Sequence, residues 1–262
     1  MKRLLAGLWR AAALVVVCGL ALQLVFALRV AAMTVVDPQS TTFQRSEIWR
    51  LATIKGQVLW SQEWRPYDRI AGTLKRAVIA SEDASFTDHG GVDWDAIEKA
   101  WERNQRAEAR AERLQSQLDR QAERRAAAGR SVAAAKPVVA KVVGGSTITQ
   151  QLAKNLFLSG ERSLARKGQE FVITFMLEAM LSKERILEIY LNNVEWGEGI
   201  FGAQAAARHY FHVDAERLAP MQAARLAVML PAPKRFEQRP GSAYVAGRAA
   251  TIVARMGAVE LP

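Results

Sequence analysis

An uncharged apolar run near the amino terminus is the feature that most constrains this 262-residue chain. Residues Ala11 to Leu28 carry no charged side chain. As a helix that rises about 1.5 Å per residue, the run would be roughly 27 Å long, close to the ~30 Å hydrocarbon core of a bilayer. A buried core helix is the alternative, but the basic flank and the terminal position disfavour it. The run therefore predicts a transmembrane helix.

The apolar run divides the chain into three predicted parts. Residues 1–10 contain three basic side chains and no acidic one, which predicts a cytoplasmic tail. The anchor extends over 11–36, since the apolar stretch continues past Arg29, whose long side chain reaches the interface. Residues 37–262 then form an extracytoplasmic domain. A cleavable signal peptide is the alternative, although its apolar region is typically about 7–15 residues long.

Composition excludes several classes of protein. Half of the residues are apolar, so the chain can build a core and is not disordered as a whole. The single cysteine, Cys18, excludes an intramolecular disulfide. A net charge of +10 predicts an anionic partner, and nucleic acid, acidic lipid headgroups and phosphorylated substrates all satisfy that requirement.

Apolar periodicity after the anchor predicts a mainly α-helical domain, because alternating strand patterns are scarce. A short hairpin is predicted over 53–60, around Gly56. Ser182 is a suitable N-cap for the helix that follows it. The predicted helices cover residues 74–80, 93–101 and beyond, 150–157, 166–181, 183–192, 203–210 and 220–230.

Residues 98–141 differ in composition from the rest of the domain. They contain eleven Lys and Arg against six Asp and Glu, which supplies half of the net charge of the chain. Small apolar residues recur at three- and four-residue steps, and Pro137 ends any helix. The pattern predicts a protruding basic helix and a flexible linker. Either the segment attracts anionic headgroups or glycan phosphates, or it is a solvated insertion without a role; both interpretations stay open.

Glu82 and Asp83 follow a predicted helical run and precede a polar loop that ends at Gly91. A carboxylate that leaves an apolar helix to enter a cleft is partly desolvated. Desolvation raises its pKa toward the range useful for a general base. Solvated helix-end carboxylates are the alternative, and these residues alone do not decide between the two.

A second polar segment begins at Gly144 and continues to Glu170. Gly-Gly-Ser-Thr before a helix presents backbone N–H groups and hydroxyls that suit an anion. The cationic residues that follow are Lys154, Arg162, Arg166 and Lys167. Such a cluster would bind a diphosphate, and carboxylates at Glu82 and Glu170 beside it suit glycosyl transfer. An ordinary N-cap with a solvated basic face is the alternative.

Five sequence motifs occur in the order found in the peptidoglycan glycosyltransferases of glycosyltransferase family 51. They are EDxxFxxHxG from Glu82, GGSTITQQLAKN from Gly144, RKxxE from Arg166, KxxILExYLN from Lys183 and GIFGAQAAARHYF from Gly199. Together they span most of the chain beyond the anchor, and the sequence resembles this family. A single anchor without a transpeptidase signature is similar to the monofunctional members of Gram-negative bacteria.

The resemblance implies an all-α, lysozyme-like fold of two lobes with a cleft between them. It implies polymerisation of lipid II into β-1,4-linked glycan with release of undecaprenyl diphosphate. Glu82 would take the proton of the acceptor 4-hydroxyl, which attacks C1 of the growing chain with inversion. Glu170 would stabilise the diphosphate side with Lys154, Arg162 and Arg166. The resemblance also allows a divalent metal ion, Mg or Mn, at that site, without requiring one.

The resemblance also implies further binding residues, partners and a location. The substrate-binding set would be Ser146, Thr147, Gln150, Gln151, Lys154, Asn155, Arg162, Arg166 and Lys167. The residues that shape the first motif would be Phe86, His89 and Gly91, and those that brace the cleft Glu188, Tyr190 and Asn192. The partners would be lipid II, the growing glycan, the inner membrane and other wall-synthesis or division proteins, but not nucleic acid. The catalytic domain would be periplasmic.

Two features depart from the family pattern. The stretch 105–143 looks inserted between the first and second motifs, which it leaves intact. Some relatives have a basic residue where Gln169 stands in this sequence.

Two other functions fit parts of the sequence. A lytic or hydrolytic muramidase would share the fold and a catalytic Glu, but it has no departing diphosphate that requires the cations. A non-enzymatic scaffold of the cell wall would not need both Glu82 and Glu170.

Overall fold

The structure, a computed structural model, describes most of the chain. The described residues are 2–128, 137–140, 144–158, 160–161 and 163–262. They divide into two compact units, one formed by the residues up to 92 together with 147–262, and one by 93–146. Of the predicted site residues, Arg162 lies outside the described ones.

Helices make up most of the described residues, which confirms the mainly helical prediction. The helices are α1 (Lys2–Ala32), α2 (Thr42–Arg50), α3 (Gly72–Glu82), α4 (Trp94–Ala127), α5 (Ile148–Phe157), α6 (Leu164–Met180), α7 (Lys183–Asn193), α8 (Ala203–Phe211), α9 (Pro220–Met229), α10 (Pro233–Phe236) and α11 (Ala243–Met256). Short 3₁₀ turns cover Tyr67–Arg69 and Ala215–Arg217.

The described strands are short and form one sheet in the order β1-β3-β2. β1 (Ser61–Gln62) pairs in parallel with β3 (Ile200–Phe201). β2 (Glu195–Gly197) pairs with β3 in the antiparallel direction. The sheet therefore joins a segment near the anchor to one late in the chain.

The predicted hairpin over 53–60 is wrong. A π-helix at Leu51–Lys55 continues α2, and Gly56 ends it in the left-handed conformation at φ 67°. Glycine adopts that conformation without steric cost. Gly56 therefore ends the π-helix, at the position where a hairpin turn was predicted. The strand that follows pairs with β3, a distant partner that local patterning does not reveal.

Two groups of helices build the core of the larger unit. α3 packs on α9 and α11, where Ala77, Ala224 and Ala249 are completely buried and permit close approach of the helices. α5 packs on α6 and α7, with Leu152 and Leu177 in the core. The end of α3 and the start of α5 are thus both fixed by buried side chains, and these two ends carry the first two motifs.

α1 is long and apolar enough to cross a membrane. An 18-residue window within its stretch Ala6–Ala32 has a mean hydropathy of 2.6, and the stretch lies near the amino terminus. Its length and composition fit a single-pass membrane anchor.

α4 occupies most of the smaller unit and confirms the helix that was predicted from residue 93 onward. Over Trp94–Ala127 it carries eight basic and seven acidic side chains. The helix is therefore almost balanced in charge, and the three basic residues that follow it, with no acidic one, supply the larger part of the excess of the segment 98–141. Much of the predicted linker, including 129–136, falls outside the described residues.

Candidate active site

Glu82 is the last residue of α3, and its carboxylate is only partly accessible to solvent. It accepts hydrogen bonds from Gln151 Nε2 at 3.1 Å and from Ser81 Oγ at 3.4 Å. Burial raises the pKa of the Glu82 carboxyl above its usual value. The two hydrogen bonds oppose that shift, and the charge of Asp83 adds to it. The sequence predicted this environment for a general base.

Asp83 has a different environment from its neighbour. Its carboxylate is buried and accepts from His89 Nε2 at 2.8 Å and from the backbone N–H of Ile148 at 3.0 Å. Gly91 N–H donates to His89 Nδ1, so a neutral ring with its proton on Nε2 satisfies both contacts. Asp83 thus places a negative charge at the amino end of α5, where the helix dipole favours it. It holds the loop and the helix together.

Gly91 is required where the loop approaches α6. Its φ is +88°, and a Cβ atom there would lie 2.7 Å from side-chain atoms of both Thr174 and Glu178. Its carbonyl accepts a 2.6 Å hydrogen bond from Thr147 Oγ1. The loop after Glu82 is therefore fixed against α5 and α6.

Thr147 is the N-cap of α5 and forms a capping box with Gln150. Gln150 Oε1 accepts from Thr147 N–H at 3.1 Å, and Thr147 Oγ1 accepts from Gln150 N–H at 3.2 Å. Gln150 is completely buried, and its Nε2 has no hydrogen-bond partner among the described residues. Ser146, which directly precedes the cap, is exposed. These hydroxyl and amide groups therefore organise the end of the helix.

Gln151 connects Glu82 to a buried tyrosine. Its Nε2 donates to Glu82, while its Oε1 accepts from the Tyr190 hydroxyl at 3.0 Å. Burial, together with the charges of Glu82 and Asp83, raises the pKa of Tyr190 well above its usual value. Tyr190 therefore stays protonated and fixes which way the Gln151 amide points. This is the bracing role that the resemblance implies for Tyr190.

The cationic cluster lies around Glu170, which is buried in the amino-terminal half of α6. Glu170 accepts from Arg166 Nη1 at 3.0 Å and forms an ion pair with Lys167. Lys154 of α5 faces the same three charges. Partial desolvation lowers the pKa of Lys154, the charge of Glu170 opposes the shift, and Arg166 and Lys167 add to it. Asn155 is half-buried beside Lys154 on α5.

One helix therefore links the two carboxylates of the predicted site. Gln151 contacts Glu82, and Lys154, three residues later, lies within electrostatic range of Glu170. Three residues advance an α-helix by about 4.5 Å and almost complete one turn, so the side chains of Gln151 and Lys154 leave the same side of α5. The structure thus places a partly desolvated carboxylate and a cationic cluster on the same side of α5.

Sequence reasoning gave no role to three residues that support the site. Glu178 Oε1 accepts from Thr149 Oγ1 at 2.6 Å and from Lys183 Nζ at 2.9 Å. Lys183 also donates to the backbone carbonyl of His89 at 2.6 Å. The available signal was Glu178 itself, since a lone acidic residue in an apolar helix requires buried partners.

Two further braces were predicted: Glu188 pairs with Arg185 Nη1 at 2.8 Å, and Asn192 is completely buried. Its Nδ2 donates to the Arg65 carbonyl at 2.8 Å, and its Oδ1 accepts from Arg65 N–H at 2.8 Å. These paired bonds hold the segment before α3 against α7.

Comparison with known proteins decides the family. The sequence profile described as Transglycosylase matches residues 51–136 and 125–257, which together cover more than half of the chain. The chain belongs to the transglycosylase family. Its membership carries the lysozyme-like fold that the sequence resemblance implied. The two matched stretches overlap over 125–136, within the segment 105–143 that looks inserted.

Two curated relatives of this transglycosylase carry the same name. The biosynthetic peptidoglycan transglycosylase of Burkholderia pseudomallei (strain K96243) is 51% identical over 243 residues, which cover 93% of this chain and 83% of the relative. The protein of the same name from Bordetella pertussis (strain Tohama I) is 52% identical over 226 residues, which cover 86% of this chain and 82% of the relative.

Proposed function

We propose that this transglycosylase polymerises lipid II into β-1,4-linked glycan strands and releases undecaprenyl diphosphate. The observation that carries the proposal is the position of Gln151 and Lys154 on one side of α5, where Gln151 contacts Glu82 and Lys154 lies within electrostatic range of the Glu170 cluster. A base beside an anion site is what transfer from a diphosphate-linked sugar requires. The names of the curated relatives support the same substrate.

Glu82 is the general base of the proposed reaction. Its carboxylate takes the proton of the acceptor 4-hydroxyl while that oxygen bonds to C1 of the growing chain, and the bond from C1 to the diphosphate breaks with inversion. Burial raises the pKa of Glu82, which makes it a stronger base than an exposed carboxylate. Gln151 and Ser81 orient the carboxylate, and their hydrogen bonds favour its ionised form.

The cationic cluster stabilises the departing diphosphate. Lys154, Arg166 and Lys167 supply positive charge where negative charge accumulates, and Arg162 is assigned the same role from its motif position. Glu170 holds Arg166 and Lys167 in place through its two ion pairs. The residues proposed to line the donor side are Ser146, Thr147, Gln150, Gln151 and Asn155. Among them, Thr147 and Gln150 act through the capped end of α5.

The described donor set fits a divalent metal poorly. Both oxygens of Glu170 already accept from Arg166 and Lys167, so a Mg or Mn ion bound to this carboxylate would displace an ion pair. We therefore assign charge neutralisation to the cations and no step to a metal. Chelation with EDTA is expected to leave most of the polymerisation rate, and a loss of more than tenfold, restored by Mg or Mn, would contradict this assignment.

The proposed location is the bacterial inner membrane, with the amino terminus in the cytoplasm and the catalytic domain in the periplasm. The basic residues before the apolar stretch of α1 support this orientation. A lipid-linked substrate lies in the same membrane as the anchor. Other wall-synthesis or division proteins are proposed partners, and nucleic acid is not.

The proposal is tested with the full-length protein in detergent, given purified lipid II in one assay and preformed glycan strands in another. We expect polymer from lipid II and no shortening of the preformed strands. Degradation of glycan without polymerisation would identify a muramidase instead. Inactivity in both assays, with a cooperatively unfolding protein, would favour a binding role.

A further inference from the structure

Gln23 is an amide within the uncharged apolar stretch of the anchor. In a bilayer such a group is costly unless another polar group satisfies it. Here Gln23 Nε2 donates to Gln169 Oε1 at 2.7 Å, and Gln169 Nε2 donates back to Gln23 Oε1 at 3.0 Å. The reciprocal pair joins α1 to α6, across 146 residues of sequence.

The end of α1 packs on the rest of its unit along one face. Gln23 and Phe26 are half-buried and Val30 and Met33 are buried, while most of the residues between them are exposed. Spacings of three, four and three residues define a single side of a helix. The Phe26 ring meets the Phe157 ring edge-on at 5.4 Å. The last three turns of the anchor are thus part of the folded unit.

A second contact holds the carboxyl end of α1. Arg185 donates from Nε to the Met33 carbonyl at 2.8 Å, and its Nη2 contacts the Val36 carbonyl at 3.2 Å and Asp37 at 2.7 Å. Met33 and Val36 lie in the turn that directly follows α1, so the guanidinium fixes the chain where it leaves the helix. The anchor is therefore fixed at two levels.

The amide pair lies close to the diphosphate cluster. Gln169 is adjacent to Glu170 in α6, and Gln23 lies about 7.5 Å along the helix before Leu28, where the uncharged run ends. The pair therefore sits near the edge of the apolar layer. Exposed Val172 and Phe175 extend the apolar surface along α6.

We propose that Gln23 is a positioning residue, which through Gln169 sets the height of the Glu170 cluster relative to the membrane surface. The inference rests on the proposed function. The diphosphate of a lipid-linked substrate lies at a depth fixed by its own lipid tail. A Glu170 cluster held at that same depth binds the diphosphate without displacing the protein or the lipid. Loss of the amide pair therefore weakens substrate binding rather than the chemical step.

The full-length chain in liposomes tests this with Gln23→Leu, Gln169→Leu and the double variant. Each single variant is expected to raise KM for lipid II by about 3- to 20-fold, the factor that one interhelical hydrogen-bond interaction in a membrane represents. The kcat stays within about twofold, and the double variant is no worse than either single one, because all three lack the same pair.

A matched control keeps the composition of the anchor. The combination Gln23→Leu with Leu24→Gln moves the amide to Leu24, which is 60% exposed on another side of α1. It is expected to behave as Gln23→Leu does. Unchanged KM in the single variants, additive effects in the double variant, wild-type behaviour of the moved amide, or a fall in kcat alone would each overturn the proposal.

A readout without activity separates this inference from the proposed function. In a Cys18→Ser background, Gln23→Cys and Gln169→Cys are expected to be joined by a short bifunctional thiol reagent, whereas Leu24→Cys and Gln169→Cys are not. Equal crosslinking of both pairs, or of neither, would contradict the docked register. Efficient crosslinking in a chain that polymerises no lipid II would refute the proposed function alone.

Discussion

Glu82 and Asp83 are adjacent in sequence but have different surroundings in the fold. Both oxygens of Asp83 accept hydrogen bonds, from His89 and from the backbone of Ile148. Glu82 stays partly accessible and accepts from Gln151. Asp83 is therefore committed to holding the loop, and Glu82 can exchange a proton with a substrate.

Replacing Asp83 is expected to reduce stability. In Asp83→Asn, the amide nitrogen would face a donor, either His89 Nε2–H or Ile148 N–H, and one buried group would lose its partner. A lost buried hydrogen bond costs about 1–3 kcal/mol. Chemical denaturation should show that decrease, and Glu82→Gln should change stability by less than half as much. Equal effects of the two variants would contradict the division of roles.

The pH dependence of the reaction should report Glu82. Because the base acts when ionised, kcat/KM should rise with pH through an apparent pKa above 4.5, the ordinary value of the group. The Gln151 hydrogen bond lowers the pKa of Glu82, so Gln151→Leu should move this acid limb to higher pH. Kinetic profiles of both proteins measure the shift. A limb that stayed in place or moved to lower pH would contradict the contact.

At the scale of the element, α5 is the part of the site that the sequence predicted best. The helix was expected over 150–157 and covers Ile148–Phe157, since its capping box and apolar spacing are local properties. The sequence does not predict that Gln150 completes the capping box and that Gln151 contacts Glu82. This difference depends on how α5 rotates against α3 and α7, which only tertiary packing determines.

α5 also sets the position of Lys154. This residue is exposed, but its removal should still weaken the reaction. Lys154→Gln is expected to lower kcat/KM by about 10- to 150-fold, which corresponds to a lost hydrogen bond to a charged group of about 1.5–3 kcal/mol. Arg248→Gln, a change of the same charge on the exposed face of α11, is the control and should have no effect. Similar losses in both variants would indicate a general effect of net charge.

At the scale of the whole molecule, the anchor and the mainly helical domain were predictable because each follows from a strong local pattern. The docking of α1 on α6 was not. A single glutamine in an apolar helix has no preferred partner in sequence, and Gln169 lies 146 residues away. The same limit applies to the sheet, whose strands β1 and β3 are far apart in the chain.

The segment 105–143 stays a predicted insertion. α4 accounts for its first part and carries nearly equal numbers of opposite charges, so attraction to an anionic surface would depend on the basic residues that follow this helix. The segment lies between the first and second motifs, apart in sequence from Glu82 and Glu170. No step of the proposed reaction uses it.

The most direct measurement is polymerisation of purified lipid II by the full-length chain beside Glu82→Gln, with unfolding curves recorded for both. The account predicts glycan strands from the wild-type protein, none from the variant, and unfolding midpoints that agree closely. A folded variant that still polymerises at a substantial fraction of the wild-type rate would contradict Glu82 as the base.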